Sequence, residues 1–237
     1  MNMSRSMPTI APEGRVDNPA RLIYHTLLRP QTTLQEIEQL CEEAVEWNFV
    51  AVCIPPVFAG HAAARLYGSE TAVASVVGFP CGYENTISKV QQAAQLESLG
   101  CAEIDMVIQI GHALSGNFAL IEAEIAQVVL AAPAAKIKVI IECCYLDLDQ
   151  KAALTSAVVN AGAAYVKTST GFGSSGATTE DVRLLAEIAG GRIGVKAAGG
   201  IRSLADLRQM QAAGASRIGT SAGVEIMQQW CAAQREK

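Results

Sequence analysis

Long apolar runs are missing from this 237-residue chain. The longest, Thr71 to Phe79 and Lys138 to Glu142, are strand-sized and far short of the ~20 residues a membrane-spanning helix needs. Basic charge is scarce as well. Lys and Arg number 18 against 23 Asp and Glu, and the formal net charge of −5 gives no electrostatic footing for nucleic acid or for an anionic membrane. Metal-binding cysteine patterns are absent: the seven cysteines are odd in number, and no Cys-x-x-Cys or His-spaced pair suggests zinc. Most of them lie in apolar segments, where reduced structural cysteines are found, which points to the cytoplasm. Cys143 and Cys144 are neighbours, and a strained disulfide between them is a poor expectation. No charged-then-apolar leader opens the chain. Met1 to Asn18 is polar with scattered Pro and Arg and reads as a mobile arm ahead of a single domain over 19–237. Aromatics are only 5% of the chain while 50% of it is hydrophobic, with many Ala, Val and Ile, a composition that suits parallel strands covered on both faces.

What is present is a regular alternation. Eight strand-like runs can be marked at Leu22–His25, Phe49–Ile54, Thr71–Val77, Glu103–Ile108, Lys138–Glu142, Ala164–Lys167, Ile193–Lys196 and Arg217–Gly219. Amphipathic or Ala-rich segments between them read as helices over Thr33–Trp47, Val57–Tyr67, Ile87–Leu99, Phe118–Ala131, Asp149–Ala161, Thr179–Ile188 and Leu204–Ala213, with Ser221–Cys231 after the last strand. Gly100, Gly162, Gly190 and Gly214 stand just past helix ends, and Asp149 and Thr179 read as N-caps. Eight such units in roughly 210 residues predict an α/β fold, a single (β/α)₈ TIM barrel. An open doubly wound sheet is the other candidate, but no Gly-x-Gly-x-x-Gly follows the first strand.

In a barrel, functional groups collect at the C-terminal ends of the strands, and two lysines stand there. Lys167 closes Ala164-Ala-Tyr-Val-Lys167 and runs into Thr-Ser-Thr-Gly-Phe-Gly173; Lys196 closes Ile193-Gly-Val-Lys196 and runs into Ala-Ala-Gly-Gly200. The two are 29 residues apart, about one strand-plus-helix unit, so parallel neighbouring strands bring them off one end of the sheet. Like charges that close disfavour each other's ionisation, which keeps one amine partly neutral and nucleophilic towards carbonyls. Taken alone, Lys167 reads more readily as a lysine that snorkels to solvent from a strand end. Only seven of the 18 basic residues are lysine, so two at matching strand ends favour a functional pair. Glu103-Ile-Asp-Met-Val107 places Glu103, Asp105 and Val107 on one strand face, where Asp105 can partner the lysines and move protons; a structural ion pair is the plainer alternative. Glu142 is a weaker candidate. Gly199-Gly200 and Gly219-Thr220-Ser221 follow strands seven and eight, where barrel phosphate sites are often built.

These segments carry a resemblance. His25-Thr-Leu-Leu-Arg-Pro30, Val76-Val-Gly-Phe-Pro80, Glu103 to Val107, Lys138-Val-Ile-Ile-Glu142, Val166-Lys-Thr-Ser-Thr-Gly-Phe-Gly173, Gly176-Ala-Thr178 with Glu180-Asp-Val-Arg183, and Val195-Lys-Ala-Ala-Gly-Gly-Ile-Arg202 together resemble the deoxyribose-phosphate aldolases over nearly the whole chain after the arm. The resemblance implies a class I aldolase that uses neither metal nor organic cofactor. It implies reversible cleavage of 2-deoxy-D-ribose 5-phosphate into D-glyceraldehyde 3-phosphate and acetaldehyde, in the cytoplasm and from a possible homodimer. The family's Schiff-base lysine falls on Lys167, its second lysine on Lys196 and its proton-shuttling aspartate on Asp105. Substrate and phosphate positions fall on Thr26, Thr168, Thr170, Gly171, Gly199, Gly200, Gly219 and Ser221. One departure stands out. Tyr24 occupies a first-strand position where the family usually has aspartate, which removes a negative charge beside the lysines and favours their deprotonation. A phenol can restore a hydrogen bond but not the charge. Two other readings remain open on the residues alone: an imine-forming aldolase for another phosphorylated carbonyl compound, and a sugar-phosphate-binding barrel without catalysis, which only Tyr24 favours.

Overall fold

The computed structural model describes residues 17–235. Eight strands, β1 (Ile23–Thr26), β2 (Ala51–Ile54), β3 (Ala72–Val77), β4 (Glu103–Val107), β5 (Lys136–Ile140), β6 (Tyr165–Lys167), β7 (Gly194–Ala198) and β8 (Arg217–Thr220), pair in chain order, and β1 pairs with β8 to close the ring. Every pairing is parallel. Around the ring lie α1 (Leu34–Glu46), α2 (Ala59–Arg65), α3 (Thr86–Ser98), α4 (Ile110–Leu114), α5 (Phe118–Ala131), α6 (Leu148–Asn160), α7 (Thr179–Ala189), α8 (Leu204–Ala212) and α9 (Gly223–Arg235). The expected (β/α)₈ barrel is the fold.

Strand alternation divides the interior in two. Ile104, Met106, Val139, Val166 and Val195 face outward into a continuous apolar layer beneath the helices. Tyr24, Ala51, Cys53, Ala74 and Val76 form a separate, smaller cluster lining one side of the lumen. The small Ala51, Cys53 and Ala74 leave space that long side chains from β4 to β7 fill from the opposite side.

Local signals are read with small offsets. All four glycines past helix ends have φ between +56° and +114°, the left-handed conformation that a helix stop favours. Asp147 and Thr178 are the caps of α6 and α7, in place of the expected Asp149 and Thr179. In the Asp147-Leu-Asp149 run the earlier aspartate wins because its side chain reaches the Gln150 N–H while Gln150 reaches back, a reciprocal capping box. Helix α4, five residues long, was too short to be read from periodicity. All seven cysteines are free. Of the expected arm, residues 1–16 lie outside the described residues; Asn18 caps a 3₁₀ turn over Pro19–Leu22 and Asp17 accepts a hydrogen bond from Arg208. Among the described residues no helix is long and apolar enough to cross a membrane.

Candidate active site

The barrel's register brings together residues that are far apart in sequence. Cα of Lys167 pairs with Lys196, Asp105 pairs with Lys138, and Lys138 with Tyr165. The result is a cluster of buried charge inside the ring. Lys167 Nζ and Lys196 Nζ both donate to the same oxygen, Asp105 Oδ2, at 2.7 and 2.6 Å. The two amine ends therefore meet inside one ring. Lys167 closes β6 as expected, whereas β7 runs two residues past Lys196 to Ala198, so Lys196 lies within its strand and not at its end. Lys138 Nζ lies against Glu103 Oε2 and 3.5 Å from Asp105 Oδ1. Tyr24 donates its phenol hydrogen to Glu103 Oε2 at 2.6 Å, and its ring centroid stands 4.1 Å from Lys196 Nζ and 4.9 Å from Lys138 Nζ.

The electrostatics follow from burial and count. Burial opposes the Asp105 charge, but Lys167, Lys196 and Lys138 outweigh it and hold this carboxyl far below the usual carboxylate range. Burial also opposes the Glu103 charge, and Lys138 overcomes it, so this carboxyl too is lowered. At Lys196 burial is outweighed by Asp105, which leaves that amine above its ordinary value. At Lys138 burial wins over Asp105 and Glu103 and lowers the amine. The Tyr24 phenol is pushed up by burial and by Glu103.

Above the cluster opens a cavity of about 830 Å³. Lys167 is the one lysine of the three that lines it, with Thr26, Thr170, Gly171, Gly199, Gly200, Gly219 and Ser221 around the wall. Eight of the eleven predicted site residues thus border one space. Asp105 and Lys196 do not line it: Asp105 touches Lys167, and Lys196 reaches Lys167 only through the shared Asp105 oxygen. Thr168 is buried between strands; its hydroxyl donates to Ala198 O and accepts from Ala198 N, tying β6 to β7.

The glycine wall is tight by construction. Gly199 has φ +88°, and a Cβ on Gly176 would fall 2.2 Å from the Gly199 carbonyl oxygen, so two loop backbones meet there with room for no side chain. The Thr170 loop is held from below by Glu142, whose carboxylate accepts from Thr170 N at 3.1 and 3.2 Å and from the Thr170 hydroxyl. Glu142 itself adopts φ +56°, a strained conformation for a non-glycine residue, and is an anchor for the loop. Helix α9 begins at Gly223, just past Ser221, so its positive end faces the same wall.

Sequence reasoning gave no role to Arg202 or Lys138, and read His25, in the first-strand motif, as a residue of the barrel mouth. Arg202 stands exposed on the cavity rim beside Gly200, and His25 lines the cavity with Nε2 2.7 Å from Glu43 Oε2. Lys138 was visible as a lysine in phase with Ile140 in an apolar strand, but its partners depend on register. Among the described residues no group of three or more His, Cys, Asp or Glu converges to hold a metal ion.

A profile of the DeoC/LacD family aldolases matches residues 21–229. The chain belongs to that family. It is 51% identical over 213 residues to a deoxyribose-phosphate aldolase of Syntrophotalea carbinolica, covering 90% of this chain and 96% of the relative. It is 52% identical over 208 residues to a deoxyribose-phosphate aldolase of Deinococcus radiodurans, covering 88% and 94%. Among solved structures, a tetrameric deoxyribose phosphate aldolase from Aeropyrum pernix superposes with a TM-score of 0.86 at 31% identity, covering 95% of this chain and 96% of that one. This member of the DeoC/LacD family is an aldolase, a carbon–carbon lyase, and the resemblance drawn from its motifs is the right one.

Proposed function

We propose that the protein cleaves 2-deoxy-D-ribose 5-phosphate, reversibly, into D-glyceraldehyde 3-phosphate and acetaldehyde, through an imine on Lys167. The observation that carries the reading is the placement of Lys167 Nζ: it borders the cavity, and an oxygen it shares with Lys196 holds it from below. The glycine loops and the start of α9 offer backbone N–H groups to a phosphate, with Arg202 at the rim. Relatives that share about half of the residues carry the same activity in their names.

The residues divide the work. Lys167, as a neutral amine, attacks the C1 aldehyde; loss of water gives a cationic imine that draws electrons from the C2–C3 bond. Asp105, directly or through water, takes the C3 hydroxyl proton as that bond breaks. Lys196, kept charged by Asp105, holds the aspartate in place beside Lys167. The enamine left on Lys167 is protonated at C2 and hydrolysed to acetaldehyde. Binding energy from the remote phosphate keeps the sugar chain in register during these steps.

Borohydride added with acetaldehyde should leave a reduced two-carbon adduct on Lys167, located by mass spectrometry. The Lys167→Leu variant should lose the adduct and all measurable cleavage while phosphate-ester binding survives; turnover persisting in it would overturn the imine assignment. The same reading includes a cytoplasmic, self-associating enzyme. Seven free cysteines support the first, and exposed Ile87, Leu120 and Leu148 beside the α3, α5 and α6 N-termini support the second. Sedimentation as a monomer at micromolar concentration would remove the latter.

A further inference from the structure

Lys138 has no part in the steps above, yet it is fully buried and its amine lies in the same cluster. Three amines, on Lys138, Lys167 and Lys196, meet two carboxylates, on Glu103 and Asp105. The other groups facing Lys138 add no negative charge. From β1, Tyr24 is a neutral phenol, and from β2 the buried Cys53 thiol is pushed up by burial. From β6 the Tyr165 ring stands 5.7 Å away, and the cationic Arg217 of β8 lies 5.8 Å from the same ring. A buried cluster bearing surplus positive charge is costly, so two carboxylates balance two ammonium ions and the third amine lacks a proton.

We propose that Lys138 holds this missing proton's place and serves, through Asp105, as the store for the proton that the aldol reaction moves. The proposal rests on the aldolase reading. Lys138 touches no substrate and is a positioning residue that acts through Asp105, whose Oδ1 it faces while Oδ2 faces the two other lysines. Its depressed proton affinity, set by burial, agrees with the role.

The charge stays constant through every step. Lys167 passes its proton by way of Asp105 to Lys138 and attacks as a free amine; the cations are then Lys196 and Lys138. Lys138 returns the proton to the carbinolamine hydroxyl, which departs as water, and the cations are Lys196 and the imine. On cleavage the C3 O–H pair becomes the new C=O bond, the C2–C3 pair becomes the C1=C2 bond of the enamine, and the imine π pair settles on nitrogen. The released proton moves to Lys138. Its transfer to C2 restores the imine for hydrolysis. At each stage two of the three lysine nitrogens carry charge opposite the two carboxylates.

Lys138→Met and Lys138→Arg separate charge from proton storage. With methionine, two amines face two carboxylates, so Lys167 keeps its proton to higher pH. The acid limb of the kcat/KM profile should move up by about one pH unit or more, and turnover at neutral pH should fall about 10²- to 10³-fold. With arginine the positive charge is permanent. Trapping of the acetaldehyde imine should keep its wild-type pH dependence while turnover falls by the same factor. A Lys138→Met acid limb that superimposes on the wild type, or a fully active Lys138→Arg, overturns the proposal. If neither variant folds, lysine Nζ and Cε NMR signals of the wild-type protein decide it: one buried amine uncharged at neutral pH supports the store, and only charged amines overturn it. Failure of the aldolase reading looks different, because then the wild type itself yields no adduct on Lys167.

Discussion

Among the described residues two clusters of lysine and carboxylate are built on fully buried lysines, one inside the barrel and one between the barrel and its helices. The outer one joins Lys89 of α3 to Glu124 of α5. Lys89 Nζ donates to Val107 O at 2.8 Å and to Glu124 Oε2 at 3.0 Å, while Glu124 Oε1 accepts from Gln109 and Thr86. One lysine is ion-paired with one carboxylate there, and the contacts tie β4, α3 and α5 together. The inner cluster sets three amines against two carboxylates and places one of them, Lys167, at a cavity wall. Burial alone is therefore no sign of chemistry. An unmatched count and an opening to a substrate-sized space distinguish the reactive group from the structural pair.

The comparison breaks most sharply at Asp105. Asp105→Asn leaves Lys167 and Lys196 beside a neutral amide, with the base for the C3 hydroxyl gone. Cleavage should fall about 10²- to 10⁴-fold, read as kcat with deoxyribose 5-phosphate. If that variant lost only stability, the inner cluster would be another structural pair. The outer cluster should behave in the opposite way. Lys89→Met strands Glu124 as a buried carboxylate and should cost about 3–5 kcal/mol in denaturant unfolding, with specific activity of the folded protein held within twofold. Replacing both partners, Lys89→Met with Glu124→Met, should recover much of that loss, since a matched pair is often exchangeable for apolar packing. Smaller still is the effect expected at the surface. The exposed Arg65–Glu42 contact at 3.0 Å should contribute less than about 1 kcal/mol, and Arg65→Ala checks this in the same unfolding experiment.

The inner cluster was legible in the sequence and the outer one was not, for a physical reason. Lys167, Lys196 and Asp105 interrupt strands that are otherwise apolar, and period-two alternation fixes the face each one takes. Lys89 lies in the first turn of a helix with polar neighbours Ser88 and Gln91, where a lysine ordinarily faces water. Only the packing of α3 on α5 turns it inward. Tyr24 shows the limit of motif comparison. The sequence marks the loss of an aspartate charge, but Glu103, which supplies a carboxylate to that side of the lumen, is brought there by register across β4 and β5. The glycines after strands seven and eight border the cavity as expected, because chain order alone is enough to position them. Thr168 does not border it, because which hydroxyl of Thr-Ser-Thr faces the cavity depends on how β6 ends.

Acid titration tests the same contrast by another route. Asp105 and Glu103 hold their carboxyls below the ordinary range, so the unfolded chain binds their protons more readily than the folded one. Stability from these groups is then fully present above the unfolded carboxylate values of about 4 and is lost as pH falls through them towards the folded values. Each such group contributes a slope of about 1.4 kcal/mol per pH unit in that window. Unfolding free energy measured between pH 5 and pH 3, on the order of the ordinary carboxylate range, should fall more shallowly in Asp105→Asn than in wild type, by about one proton's worth. Equal slopes in the two proteins would mean that Asp105 is not the anion around which the lumen's lysines are arranged.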